Sequence, residues 1–103
     1  MIRGTDVLTQ QDPAYFVFFY ATGCPYCVEM EGVLNTYRTR PDALPIYGVE
    51  VGHDLTQARA WDLRVIPTIL KVEQAQESAT PRVVAREEGV QPLSVLQELS
   101  TRR

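Results

Sequence analysis

The sequence predicts an α/β fold in which helices flank a mixed four-stranded sheet. A continuous apolar, aromatic-rich run over 15–21 is typical of a strand that is buried on both faces. Residues 24–37 follow with apolar side chains every three or four positions, which is the spacing of an amphipathic helix. Two later extended segments, 67–72 and 83–86, are separated only by the polar loop 74–81, which predicts an antiparallel hairpin.

The remaining extended and helical segments are less regular in sequence. Residues 5–12 favour a short helical turn that stops before Pro13. Segment 44–51 predicts the second strand, although Pro45 and Gly48 interrupt it. The first two strands are joined through a helix, so a right-handed crossover should make them parallel.

Capping residues place the last two helices. Asp54 is a suitable N-cap for a helix that ends at Trp61 or Leu63. Pro92 opens the final helix, because proline suits the first helical position. The element order is therefore β-α-β-α-β-β-α, and reaction sites on such sheets lie at the carboxyl ends of strands.

Composition narrows the class of protein and its partners. A chain of 103 residues that is 45% apolar fits a single domain over 1–103 with one core. The net charge of −3, without a basic cluster, argues against nucleic acid or a membrane surface as a partner, and we expect a monomer. The start lacks a secretory leader and nothing reaches transmembrane length, so we expect a cytoplasmic location; an exported chain already trimmed of its leader would look the same.

The only two cysteines, Cys24 and Cys27, lie one helical turn apart where a strand gives way to a helix. Such a pair can close into a disulfide and reopen, and in a reducing compartment it would rest reduced. We predict that Cys24 is the nucleophile, because the free amides and the dipole of the helix N-terminus favour its thiolate. Cys27 lies on the apolar face and is predicted to be the shielded, resolving thiol.

Other chemically active side chains near the pair are few. No Lys, Arg or His lies within ten residues of it, and Glu29 and Glu31 would oppose the thiolate slightly. The two cysteines and the single histidine, His53, do not complete a four-ligand zinc site, so no metal is expected. We interpret His53 as part of a surface turn and Trp61 as core packing.

These residues resemble the thioredoxin superfamily over nearly the whole chain. The resemblance is carried by the strand leading into 21–27 (ATGCPYC), by 61–68 (WDLRVIPT) and by 88–89 (EG) before the last helix. The layout with Ile66 before a proline is similar to thioredoxin, whereas the CPYC motif is that of dithiol glutaredoxins. The resemblance therefore identifies a thioredoxin-like fold and leaves the subfamily open.

The resemblance implies a protein thiol–disulfide oxidoreductase with a place in electron transport and cell redox homeostasis. It implies disulfide-bearing protein substrates, no cofactor beyond the redox-active disulfide, and electrons from a thioredoxin reductase or from glutathione. In the family the proline at position 67 follows a cis peptide bond and faces the dithiol. The implied substrate-binding residues form an apolar groove suited to polypeptide: Pro25, Tyr26, Ile66, Pro67, Gly89 and Val90.

Three features depart from the family pattern. The N-terminal edge strand has almost no residues to form it, so we expect it to be short or missing. Phe18 stands where thioredoxins carry a buried carboxylate, so Cys27 lacks that internal proton acceptor. Gly23 and Tyr20 replace tryptophans before the first cysteine.

Three functions are compatible with these residues. The leading hypothesis is a general protein oxidoreductase that works mostly as a reductant. A glutathione-dependent, glutaredoxin-like reductase is suggested by the CPYC motif, which also favours a potential above the thioredoxin value of about −270 mV. The third is a redox-inactive binding module in which the dithiol is vestigial.

Overall fold

Five strands and three helices follow one another in the computed structural model, which describes residues 2–3, 12–53, 55–74 and 81–101. The strands form one sheet in the order β1-β3-β2-β4-β5. The elements are β1 (Ile2–Arg3), β2 (Ala14–Tyr20), α1 (Pro25–Tyr37), β3 (Ile46–Glu50), α2 (Leu55–Ala60), β4 (Thr68–Gln74), β5 (Pro81–Glu88) and α3 (Leu93–Thr101).

The sheet has the mixed topology that the sequence predicts. β2 pairs in parallel with β3, where Phe18 is opposite Gly48, and antiparallel with β4, where it is opposite Ile69. β4 and β5 form the predicted antiparallel hairpin. Four strands of five to eight residues thus make up the mixed sheet. Among the described residues, β1 pairs two residues with β3 at the N-terminal edge, where the sequence predicts a short or missing strand.

The β2 strand is buried on both faces because its neighbours are strands on either side and helices above and below. Phe16 and Phe18 point into a cluster shared with α1 and α3, whereas Val17 and Phe19 belong to a second cluster on the opposite face. The helical spacing of apolar residues predicted for α1 brings four of its side chains into the first cluster: Cys27, Met30, Leu34 and Tyr37.

The opposite face is covered by α2, which has six residues and buries none of them. Trp61 follows it and packs on the sheet, with its ring centroid 5.7 Å from that of Phe19. The Trp61 indole donates a hydrogen bond of 3.1 Å to the Gln57 side chain. None of the helices that the structure describes is long and apolar enough to cross a lipid bilayer.

Two element bounds differ from the predicted ones. β5 extends over Pro81–Glu88 instead of 83–86, because an edge strand is held by backbone pairing with β4 and needs little burial. α2 ends at Ala60, before Trp61, because the chain turns at Asp62, whose φ is 52°. The turn expected over 5–12 falls almost entirely outside the described residues, as do the expected N-cap Asp54 and residues 75–80 of the predicted loop.

Candidate active site

Cys24 occupies the N-cap of α1, at the carboxyl end of β2. Its backbone is extended, with φ −88° and ψ 111°, and the helix begins at Pro25. The Cys27 backbone amide donates a hydrogen bond of 3.2 Å to Cys24 Sγ, so the sulfur takes the acceptor position of an N-cap side chain. Pro25 gives up an amide that would have no helical partner, and the Cys24 thiol stays half-exposed.

A tight turn before Cys24 delivers it to this position. The Cys24 amide donates 3.3 Å to the Ala21 carbonyl, and Gly23 lies inside the turn with φ +85°. Residues with a side chain rarely adopt this backbone conformation, so glycine suits the position. The break predicted at Gly23 is therefore a turn that aims the cysteine at the helix start.

Cys27 lies one turn further along α1 and is only 3% exposed. It belongs to the same buried cluster as Phe18 and Met30. Burial raises the pKa of Cys27 to about 11, and its hydrogen bond with Cys24 and the negative charge of Glu50 act in the same direction. Both cysteines are free thiols in this structure, and they differ sharply in their access to solvent.

Glu50 ties the turn before Cys24 to the end of β3, a role that the sequence reading missed. Its Oε2 accepts hydrogen bonds from the Thr22 amide at 3.0 Å and the Thr22 hydroxyl at 2.9 Å. Its Oε1 accepts from the amides of Gly52 and His53. These bonds, the Thr22 amide first, lower the pKa of Glu50 to about 2. The available signal was an acidic residue at the carboxyl end of a strand beside the one that leads to Cys24.

The only histidine, His53, has a side chain that is 86% exposed, and its Nε2 lies 3.7 Å from a Glu50 carboxylate oxygen. It lies in the surface turn that the sequence suggests. Within the described part of the chain, no three His, Cys, Asp or Glu side chains are grouped so that they could hold a metal ion.

A groove of about 320 Å³ lies beside the start of α1. Five of the six residues predicted to bind substrate line it, together with Glu29, which the sequence reading did not place there. The lining residues are Tyr26, Glu29, Ile66, Pro67, Gly89 and Val90. Pro25, the sixth, is exposed at the first position of α1 but is not in this lining.

Hydrogen bonds connect the wall of the groove that Pro67 and Gly89 form to the neighbouring elements. The Ile66–Pro67 peptide bond is cis. The Gly89 amide donates 2.8 Å to the Pro67 carbonyl, and the Gln91 amide donates 3.2 Å to the Met30 sulfur. These two hydrogen bonds join the residue before β4, the segment after β5 and α1.

A second cavity of about 280 Å³ lies against α2, and Ile66 is the one described residue that it shares with the groove. It is mostly apolar, and Arg64 is the charged residue among those described in its lining. Leu55 and Val65 in this lining are 56% and 46% exposed. Neither α2 nor the two residues that follow it, Trp61 and Asp62, are among the described lining residues of the groove.

Comparison with solved structures shows the same fold in several thioredoxins. A mutant thioredoxin from Halobacterium salinarum matches with a TM-score of 0.75 and 24% identity over 95% of this chain and 83% of that one. The Trichomonas vaginalis thioredoxin matches with a TM-score of 0.72 and 18% identity, over 84% of this chain and 76% of that one. The Malassezia sympodialis thioredoxin gives 0.71 and 22%, over 91% and 77%.

Comparison by sequence leads to the family itself. No curated protein gives a significant match to this chain. The family model described as Thioredoxin matches residues 5–97, which include the cysteine pair, the Ile66–Pro67 bond and the start of α3. With a family match over most of its length and a Cys24–Cys27 pair at the helix start, the chain belongs to the thioredoxin family.

Proposed function

We propose that this chain is a thiol–disulfide oxidoreductase that exchanges the Cys24–Cys27 dithiol with disulfides of protein substrates. The observation that carries the proposal is the asymmetry of the pair: Cys24 is half-exposed at a helix N-cap, whereas Cys27 is buried one turn behind it. This arrangement suits a first thiol that meets substrate and a second that acts only within the protein. It would work mostly as a reductant, as a monomer in the cytoplasm.

In the first step, the Cys24 thiolate attacks one sulfur of a substrate disulfide. A bond forms between Cys24 and that sulfur, the substrate disulfide breaks, and its other sulfur leaves as a thiolate that takes up a proton. The amide of Cys27, 3.2 Å from Cys24 Sγ, stabilises the negative charge before attack.

In the second step, Cys27 loses its proton and attacks Cys24 Sγ. The Cys24–Cys27 disulfide forms, the bond to the substrate breaks, and the substrate sulfur leaves as a thiolate that takes up a proton, so that two electrons have passed from the dithiol to the substrate. Because the pKa of Cys27 is raised to about 11, little of its thiolate is present near neutral pH. Phe18 offers no proton acceptor, and Glu50, with its pKa lowered to about 2, is a weak base. We therefore expect this resolution step to limit turnover.

The groove supports a polypeptide substrate. It is open, mostly apolar and adjoins the N-terminus of α1, where Cys24 is the N-cap residue. Among the described residues, Ile66 makes no hydrogen bond, so its backbone is available to pair with an extended chain. After each turnover the protein disulfide would be reduced again by a thioredoxin reductase or by glutathione.

Glutathione-dependent reduction is a second candidate, because the Pro25-Tyr26 dipeptide is that of dithiol glutaredoxins. Glutathione carries two carboxylates, and glutathione sites pair such groups with cations. The groove residues include no Lys, Arg or His among those described, and the charge that is present belongs to Glu29. The groove chemistry therefore favours protein substrates and a reductase as the electron donor.

Reduction of insulin disulfides tests the proposal. We expect turnover with NADPH and a thioredoxin reductase, and much slower turnover with glutathione as the only donor. Cys24→Ser should reduce the rate by at least about a hundred-fold, because it removes the nucleophile. Cys27→Ser should instead accumulate a mixed disulfide between Cys24 and substrate, visible by mass spectrometry.

The control reaction is alkylation of Cys24 by iodoacetamide. A reactive Cys24 together with turnover by either donor supports an oxidoreductase, and the faster donor distinguishes its two forms. Turnover with neither donor and an unreactive Cys24 would instead indicate a binding module with a vestigial dithiol.

A further inference from the structure

The groove beside the dithiol carries a single charge among its described lining residues. Glu29 supplies a carboxylate, and none of the other described lining residues is Asp, Glu, Lys, Arg or His: Tyr26, Ile66, Pro67, Gly89 and Val90. Glu29 lies on α1 two residues beyond Cys27, so the charge is built into the same helix as the dithiol. A charge at this position is adjacent to any peptide that occupies the groove.

The Glu29 carboxylate is not neutralised by its described neighbours. The side chain is exposed and, within residues 12–53, 55–74 and 81–101, it makes no hydrogen bond and no ion pair. No Lys, Arg or His occurs between residues 14 and 37. Arg64 lines the second cavity and is not among the described lining residues of the groove. The Glu29 charge is therefore available to a ligand.

We propose that Glu29 makes the groove prefer protein disulfides whose reacting cysteine is flanked by Lys or Arg. The inference rests on the proposed oxidoreductase function and names the substrate class of that same site. A basic side chain next to the substrate sulfur would pair with Glu29 as the sulfur approaches Cys24, whereas an acidic one would be repelled. Charges of this kind change the association rate and the specificity more than they change the overall affinity.

The expected preference is modest, because Glu29 is exposed. An exposed ion pair changes an equilibrium by roughly two- to five-fold, and repulsion of the opposite charge acts in the same direction. We expect a basic flank to react about two- to ten-fold faster than an acidic flank at low ionic strength. Added salt should reduce the ratio, since exposed charges are screened.

The test uses two disulfide-linked peptide dimers that are identical except for Arg or Glu next to the cysteine. Reduced wild-type protein is mixed with each dimer, the reaction is quenched with acid, and the second-order rate constant is measured by chromatography. Each constant is divided by that of the same dimer with dithiothreitol, which removes the intrinsic effect of the flank on disulfide reactivity. The use of pre-reduced protein makes the result independent of the electron donor.

Two variants make the test specific to the groove. Glu29→Gln should bring the corrected Arg-to-Glu ratio close to one. Glu31→Gln changes the net charge equally on the same helix, but Glu31 does not line the groove, so this variant should keep the wild-type ratio.

Each outcome bears on a different proposal. A wild-type ratio near one overturns the charge preference, and so does a ratio that survives Glu29→Gln or falls equally in Glu31→Gln. Failure to react with either dimer overturns the oxidoreductase function itself. Reaction with both dimers at equal corrected rates leaves the oxidoreductase function intact and removes only the role of Glu29.

Discussion

The two helical layers that cover the sheet are packed to different depths. α1 and α3 together bury six side chains: Cys27, Met30, Leu34, Tyr37, Leu96 and Leu99. α2, on the other face, buries none of its own residues and contacts the sheet region only through partly buried side chains. The layer of α1 and α3, called the deep layer, contains Cys27, whereas the layer of α2, called the shallow layer, lies on the side of the second cavity.

Ile66 connects the two layers. It packs against both buried clusters and lines both the groove and the second cavity. One wall of the groove, at Tyr26 and Glu29, is thus part of a deeply anchored helix, while Ile66 precedes β4 next to the shallow layer. The difference teaches that Cys27 belongs to a helical layer with many buried side chains, whereas the Ile66 wall of the groove also borders the layer of α2, which buries none.

Matched leucine truncations test this contrast and have the largest expected effect. Leu34→Ala in α1 removes a fully buried side chain and should lower the free energy of unfolding by about 2–5 kcal/mol. Leu55→Ala in α2 truncates a side chain that is 56% exposed and should change it by less than about 0.5 kcal/mol. Urea unfolding followed by circular dichroism measures both, and equal losses would refute the contrast.

A carboxylate placed in the deep layer tests why resolution should be slow. Phe18 is fully buried in the same cluster as Cys27, so Phe18→Asp would supply a proton acceptor near that thiol. General-base assistance should speed resolution at pH 7 by about ten-fold or more, while the buried charge lowers stability.

The resolution rate can be followed after reaction with Ellman's reagent, because Cys27 releases the second thionitrobenzoate. In the wild type this rate should rise with pH towards the Cys27 pKa of about 11, whereas in Phe18→Asp it should depend less steeply on pH. Phe18→Leu, which perturbs packing without adding an acid, should keep the wild-type profile. Identical profiles for the Asp and Leu variants would exclude the missing proton acceptor as the cause.

Glu50 links the two layers and has the smallest expected effect. It accepts hydrogen bonds from Thr22, before α1, and from Gly52 and His53, before α2. Its pKa in the folded chain, about 2, lies below its ordinary value of 4.5. The carboxylate therefore stabilises the fold above about pH 4.5, and this contribution is lost as the pH falls towards 2.

Unfolding in urea at pH 5 and at pH 2.5 measures this linkage. The wild type should lose more stability between these pH values than Glu50→Gln does. Asp42→Asn, which removes an exposed carboxylate paired with Arg40, serves as the control for net charge. If Glu50→Gln loses as much stability between pH 5 and pH 2.5 as the wild type does, the Glu50 carboxylate is not the cause of the pH dependence.

The deeply packed elements could be predicted closely from the sequence. β2 spans Ala14–Tyr20 against a predicted 15–21, and α1 ends at Tyr37 as predicted. A continuous apolar run and a proline at the first position of a helix are local patterns. They can therefore be recognised from neighbouring residues alone. The predicted β5, 83–86, is shorter than the observed Pro81–Glu88. β5 is an edge strand with many exposed residues, and its length depends on pairing with the distant β4.

The candidate site, too, has residues that local patterns predict and residues that only long-range contacts place. The cysteine pair could be named from its spacing, and five residues named from the family resemblance line one cavity. Glu29 and Glu50 could not be placed, because their positions depend on how α1 faces the Pro67 wall and on the register between β2 and β3. Both placements depend on contacts between elements that are distant in the sequence.

Trp61 gives the shallow layer an optical signal of its own. It is the only tryptophan in the chain, and it packs against Phe19 at the end of α2. Its emission will therefore follow the detachment of α2 from the sheet, whereas circular dichroism averages over all helices and strands. Where the two unfolding curves separate, the gap between them gives the free energy of local opening on that face.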